Sequence, residues 1–227
     1  MRRFVFVILM LTAMAAADSA RAILLTPPAK KGKFTFGAQE MWLHRDTEWT
    51  DGSGASEDQY NLGTFWAKYG FHERFTGYFE FVILNGDPHN EGTSYRHINL
   101  GVGATFKIVE FEDFYVSALA NYFENFQHDN QESNCHSMTR HFAGLVQVGW
   151  TWELGTKHEL TGWWGPAVFV DNQIYDGGAC LGGTKESQNN LGMAAGTDFL
   201  FWSHLEVFVH VLYANYLQPR IGVGYQF

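Results

Sequence analysis

The chain has 227 residues, 46% of them apolar and 17% aromatic, with 24 Gly, two Cys and a formal net charge of −9. Past a candidate leader at residues 1–22 the remainder carries 12 basic against 23 acidic side chains, a net charge of −11 that argues against nucleic acid as a partner. Beyond the leader no run is long and apolar enough for a spanning helix and none sustains a 3.6-residue period, so helical bundles and helical membrane proteins are excluded too.

The leader opens on Met1-Arg2-Arg3, continues through a nearly unbroken apolar run from Phe4 to Ala17, and ends on Ala20-Arg21-Ala22. A basic start, a short apolar core and small residues at a cleavage spacing predict a removed secretory signal. The run is shorter than the roughly 20 residues of a membrane anchor. Residues 23–32 are expected as a short N-terminal segment and 33–227 as one all-β domain, because no linker or helical-pair repeat divides them.

Ten segments of that domain alternate with a period of two. Phe34, Phe36, Ala38 and Trp42 share a face in the first, which also places Glu40 there; the second, Tyr60 to Tyr69, is apolar on both faces. Each suggests a hidden bulge or a shifted register. The third sets Phe75, Phe79, Phe81 and Ile83 against Thr76, Tyr78 and Glu80. The fourth is the cleanest, with Ile98, Leu100, Val102, Ala104 and Phe106 opposite His97, Asn99, Gly101, Gly103, Thr105 and Lys107. Phe114 to Tyr122 and Phe142 to Trp152 follow the same code. The seventh, Glu159 to Asn172, contains Pro166, which cannot donate to a ladder and is expected at a bulge. Leu191 to Phe199 and Leu205 to Tyr213 complete the set before the terminal strand.

Connections alternate as well. Those near Gly70 to Arg74, Ile108 to Glu112, Gly155 to His158 and Phe201 to His204 are short, whereas Arg45 to Asp58, Asn85 to Thr93, Asn125 to Met138 and Asn172 to Ser187 are long and polar. Cys135 and Cys180 fall in two of the long loops, and in an exported protein they are expected to pair as a disulfide. His44, His89, His97, His128, His136 and His141 gather at the same end, but no pair has a metal-ligand spacing and no metal or other cofactor is expected. His128-Asp129 with Ser133 or Ser137 nearby is too common a combination to mark a hydrolase, and no catalytic residue is assigned.

The last segment, Ile221-Gly222-Val223-Gly224-Tyr225-Gln226-Phe227, alternates apolar and small or polar side chains and stops on an aromatic ring. It resembles the terminal strand of bacterial outer-membrane β-barrel proteins. That resemblance implies a transmembrane antiparallel up-and-down barrel in the outer membrane of a Gram-negative bacterium, with Val223, Tyr225 and Phe227 as the assembly signal. It implies contact with outer-membrane lipid, lipopolysaccharide and the barrel-assembly machinery. Ten strands fit the even number that such barrels require, with eight or twelve as the alternatives.

The polar faces carry bulky ionisable groups beside Gly and Ala, while aromatics crowd the ends of the apolar faces near the short turns. That combination turns the polar face toward the lumen and the apolar face toward lipid. Glu80, Lys107, Glu153, Asp198, Glu206, His210 and Arg220 then form a lumenal charge network, with Lys107 expected against Glu153, Asp198 or Glu206 and Arg220 against Glu80 or His210. A ten-stranded lumen is narrow, and Tyr78, Tyr115, Trp163, Phe169 and Phe208 point into it. The expected role is a small surface-exposed barrel with a structural or interaction function. The alternative is a narrow passive channel for small solutes, porin-like or nucleoside-channel-like, and an outer-membrane hydrolase ranks behind both.

Overall fold

The computed structural model describes residues 27–49, 52, 55–86, 95–125, 128–130, 135–176, 183–187, 191–214 and 216–227. The expected leader lies outside them. The strands are β1 (Phe34–Trp49), β2 (Ala55–His72), β3 (Phe75–Gly86), β4 (Tyr95–Phe111), β5 (Phe114–Asn125), β6 (His128–Asn130), β7 (Cys135–Glu153), β8 (Glu159–Asp176), β9 (Gly183–Ser187), β10 (Leu191–Phe201), β11 (Leu205–Tyr213) and β12 (Leu217–Gln226). Ten of them close a single antiparallel barrel. Each neighbours the next in chain order, and the pairing Thr35↔Gln226 through Met41↔Arg220 joins β1 to β12. Closure leaves no unpaired edge, which a strand in hydrocarbon could not tolerate.

The two short strands belong to one rim. β6 folds back on the start of β7, while β9 pairs both with β8 at Asn172 to Tyr175 and with β1 at Thr47 to Trp49. The wall therefore passes directly from β9 to β1 above the shorter β11–β12 hairpin. Strands β1, β2, β4, β7 and β8 run to 16–19 residues, well past the 9–11 that a tilted strand needs to cross a bilayer. Much of what reads as long polar loop, including Arg45 to Trp49, Ala55 to Asp58 and Cys135 to Met138, is ladder continuing beyond the membrane. Polar residues do not end a strand whose neighbour extends with it.

Alternation governs the wall throughout. Phe36, Val102 and Ile221 face outward, about half exposed, while their chain neighbours Thr35, Gly101 and Arg220 are buried inside. A soluble barrel would invert this arrangement. Glu40 faces outward and is exposed with no bulge beside it: β1 holds one register against β2 from Phe34↔Tyr69 to Glu48↔Ala55. The second segment likewise needs no bulge in its apolar stretch, because its inward Trp66 is a lumenal ring. The irregularities lie at Gly70/His72 and at Lys107/Val109 instead.

Pro166 also sits without a register shift. The β7–β8 ladder skips Val146 and Gln147, then resumes unchanged from Leu145↔Ala167 to Val148↔Trp164. Here Gly165 lets the backbones approach, since a Cβ at that position would lie 1.6 Å from the Val146 carbonyl oxygen. The missing N–H of Pro166 is thus accommodated where the ladder skips two pairs and the backbones close up at Gly165, rather than by an extra residue.

Candidate functional site in the barrel interior

The barrel encloses a collar of rings, each laid over a glycine on an adjacent strand. Trp66 covers Gly37 and Gly224, Phe208 covers Gly222, Trp163 and His210 cover Gly196, Tyr78 covers Gly103 and Tyr115 covers Gly149. A Cβ at any of these glycines would stand 2.2–2.6 Å from the ring above it. Direct register creates the match: Gly37↔Trp66, Tyr78↔Gly103, Tyr115↔Gly149, Gly196↔Trp163 and Phe208↔Gly222 are ladder partners. An aromatic can lie flat against the wall only where its cross-strand neighbour lacks a side chain.

The rings also meet one another. Phe208 stacks on His210 at 4.4 Å between centroids and 15° between planes, Trp163 meets His210 edge-on at 5.0 Å, and Trp66 lies 5.9 Å from Phe208. These contacts carry the collar over β1, β12 and β10, whose inward residues there are the glycines. Trp66, Trp163, Phe208 and His210 are at most 1% exposed.

Charge is built into the collar. Asp198 accepts from Trp163 Nε1 at 2.8 Å and pairs with His210 Nε2 at 3.0 Å, which fixes both rings from β10. Lys68 Nζ lies 2.7 Å from Glu206 Oε1, with both side chains under 10% exposed, and stands 5.5 Å over the Trp66 ring. On the opposite wall Tyr78 donates to the Ala120 carbonyl at 3.2 Å and Ser117 donates to Gln147 Oε1 at 3.0 Å. Arg220 is 1% exposed. Its guanidinium feels the charge of Glu80 and has no hydrogen-bond partner among the described residues.

Of the charge network expected from sequence, Glu80, Asp198, Glu206, His210 and Arg220 are buried inside the barrel. Lys107 takes Glu110 at 2.5 Å, a partner three residues along its own strand, in place of the expected Glu153, Asp198 or Glu206. The bulge at Lys107/Val109 brings the two onto one side. Glu153 is exposed at the rim. Lys68 was missed because its segment reads as apolar on both faces, although its parity with Trp66 marks it as inward.

At the end where the short turns and both strand termini meet, residues 27–33 fold back across the opening. Ala29 N–H donates to Thr76 Oγ1 at 2.9 Å, Lys30 Nζ reaches Glu159 at 2.5 Å, and Gly32 N–H donates to the Gly70 carbonyl at 2.8 Å. Gly70 is required there, because a Cβ would lie 2.2 Å from the Lys30 carbonyl oxygen. This strap borders a cavity of 310 Å³.

At the opposite rim, His89, Ser133 and Cys180 lie outside the described residues, as do the side chains of His44, His97, His128, Asp129, Cys135, His136 and Ser137. His141 is described and points inward against Phe123. Among the described residues no three His, Cys, Asp or Glu side chains are placed to share a metal ion. Val223, Tyr225 and Phe227 lie on the outer face, where the Phe227 N–H closes on the Phe34 carbonyl at 2.8 Å and its ring sits 6.0 Å from that of Phe34.

No family model and no curated protein matches the chain. Among solved structures it is similar to the translocator domain of the autotransporter NalP from Neisseria meningitidis, at 12% identity over 88% of this chain and 90% of that one, with a TM-score of 0.47. It is also similar to the outer membrane protease OmpT from Escherichia coli, at 9% identity over 90% and 99% with a TM-score of 0.40. A third is the outer membrane protein OprG from Pseudomonas aeruginosa, at 14% over 88% and 98% with a TM-score of 0.33. At such distances the likeness carries no functional argument. The placement rests on this chain's own wall: a closed ten-stranded barrel, with an exposed apolar outer face and its buried charges inside, is a bacterial outer-membrane β-barrel.

Proposed function

We propose that the protein is a small outer-membrane barrel whose lumen passes little or no solute and whose role is structural or interactive at the outer rim. The observation that carries this reading is the ring collar, in which Trp66, Phe208, His210 and Trp163 are packed to near-zero exposure where an open pore would leave them wetted. No catalytic step is assigned to it. Its partners on this reading are outer-membrane lipid, lipopolysaccharide and the barrel-assembly machinery, with Cys135 paired to Cys180 at the outer rim.

Planar-bilayer recording of the purified barrel tests the proposal. Wild-type protein should show no stable conductance, and Trp66→Ala with Phe208→Ala should open one by removing two rings from the collar. Steady wild-type conductance would refute it.

A narrow passive channel is the second reading, and one feature favours it. Thr35, Gln39, Thr64 and Thr105 are buried inside the barrel with side-chain oxygens that have no hydrogen-bond partner among the described residues. Buried oxygens of this kind are normally satisfied by water, and a connected thread of water past the collar would conduct.

A further inference from the structure

One carboxylate stands on the lipid-facing wall amid apolar neighbours. Glu40 points outward from β1 and is exposed, beside Ala38 and Trp42 on its own strand, Gly63 on β2 and Ile221 on β12. Trp42 is the next outward residue toward the outer rim, so the carboxylate starts about 5 Å below the outer aromatic belt, at the top of the acyl layer. Among the described residues Glu40 has no ion pair and no hydrogen bond, whereas Glu124, outward on β5, meets Arg140 at 3.2 Å. An ionised group at that depth is costly without a partner, and this one has to come from outside the chain.

The wall beside the carboxylate is open. A Cβ built at Gly63 would meet nothing within 4 Å, and Trp42 and Phe65 stand on either side of that slot, both nearly half exposed. Glu40 is thus reachable from the membrane without any movement of the barrel.

Depth and charge select the occupant. A carboxylate accepts hydrogen bonds and donates none. Glycerophospholipids present ester oxygens at the top of their acyl chains, and these are acceptors too. The acylated glucosamine disaccharide at the base of lipopolysaccharide, lipid A, carries amide N–H and hydroxyl donors at the same level. A second copy of the chain docked on this patch by two-fold symmetry would instead set Glu40 against Glu40.

We propose that Glu40 and the slot over Gly63 form a lipopolysaccharide site on the outer wall, in which the carboxylate accepts from the amide and hydroxyl donors of lipid A and an acyl chain lies against Gly63 between Trp42 and Phe65. The site rests on the reading above, which makes lipopolysaccharide a partner, and assigns that contact to one place on the wall.

The test is native mass spectrometry of the full barrel released from micelles and titrated with purified lipid A, using phosphatidate as the ester-linked anionic control. EDTA is present throughout, so no divalent cation can bridge the carboxylate to a phosphate. Glu40→Leu should weaken lipid A binding by about tenfold without weakening phosphatidate, and Glu40→Gln, which keeps an acceptor oxygen but no charge, by about threefold. Gly63→Val leaves the carboxylate in place and closes the slot, and should also cost about threefold. Heat-modifiable migration on gels confirms that each variant is folded. Equal lipid A affinity in wild type and Glu40→Leu, or an equal loss for phosphatidate, would overturn the proposal and leave the outer-membrane reading standing. Recovery of the chain outside the outer-membrane fraction of cells would overturn both.

Discussion

Replacing Glu206 by Leu should destabilise the barrel by about 2–3 kcal/mol. Breaking a deeply buried ion pair by removing one partner costs about 3–5 kcal/mol, whereas a surface pair contributes only about 0.2–1. Lys68 and Glu206 are 5% and 8% exposed, which places them near the buried limit. Both also border the 310 Å³ cavity, where water can reach an ammonium that has lost its carboxylate, so a value at or just below the bottom of the buried range applies. Lys68→Met should cost a similar amount by leaving Glu206 without its cation. Combining Lys68→Met with Glu206→Leu removes both charges and should return stability to within about 1 kcal/mol of wild type, a coupling of about 3 kcal/mol or more. Reversible urea unfolding in micelles, followed by tryptophan fluorescence, gives the four free energies of the cycle. If the two single changes simply add to within about 0.5 kcal/mol, the pair is not coupled and the reasoning fails.

Gly222→Leu drives a side chain into the Phe208 ring, 2.2 Å from where the new Cβ would stand, and should cost about 1–3 kcal/mol by overpacking; an unchanged melting temperature would deny the collar its fit. Arg220→Ala removes a fully buried cation from the barrel interior and should lower stability in the same unfolding assay, whereas intact stability with altered ion selectivity would make Arg220 a pore-lining residue. Deleting Phe227 removes the closing contact with Phe34 and should cut the yield of heat-modifiable barrel while export proceeds; a normal folded yield would contradict its role in assembly. Non-reducing mass spectrometry should recover Cys135 and Cys180 in one linked peptide, and two alkylatable thiols would refute the pairing.

The two faces of the wall were legible from the chain because a strand's period is two and lipid tolerates few exceptions. Strand length was less so. Cys135 to Met138 reads as loop, yet it pairs with Ile174 to Asp176 and neighbouring residues because two polar strands that leave the membrane side by side can keep their ladder. The turn at Trp202 and Ser203 carries none of the Gly or Asn that its left-handed backbone, at φ of 49° and 61°, ordinarily favours. Its place follows only from the polarity switch on either side. Ion-pair partners were least legible. Lys68 and Glu206 are 138 residues apart, and only the curvature of the closed wall brings β2 opposite β11.

The glycine and aromatic positions hold information that alternation alone does not. A one-residue slip between β11 and β12 would turn every lipid-facing side chain inward, so polarity already forbids it. A two-residue slip preserves both faces and escapes that control. It would place Phe208 against Arg220 or Gly224 instead of Gly222, and His210 against Gln218 or Gly222 instead of Arg220. The same shift between β1 and β2 would move Trp66 from Gly37 to Thr35 or Gln39, where a side chain already occupies the space the ring needs. Ring over glycine therefore excludes the slips that polarity permits at β1–β2, and it does so at Tyr115 on the far wall as well, where the same shift would bring Gln147 or Thr151 under the ring. The collar that narrows the lumen is thus also a device that fixes strand register. A variant that trades Trp66 for a small residue should lose uniqueness of pairing along with its barrier to solutes.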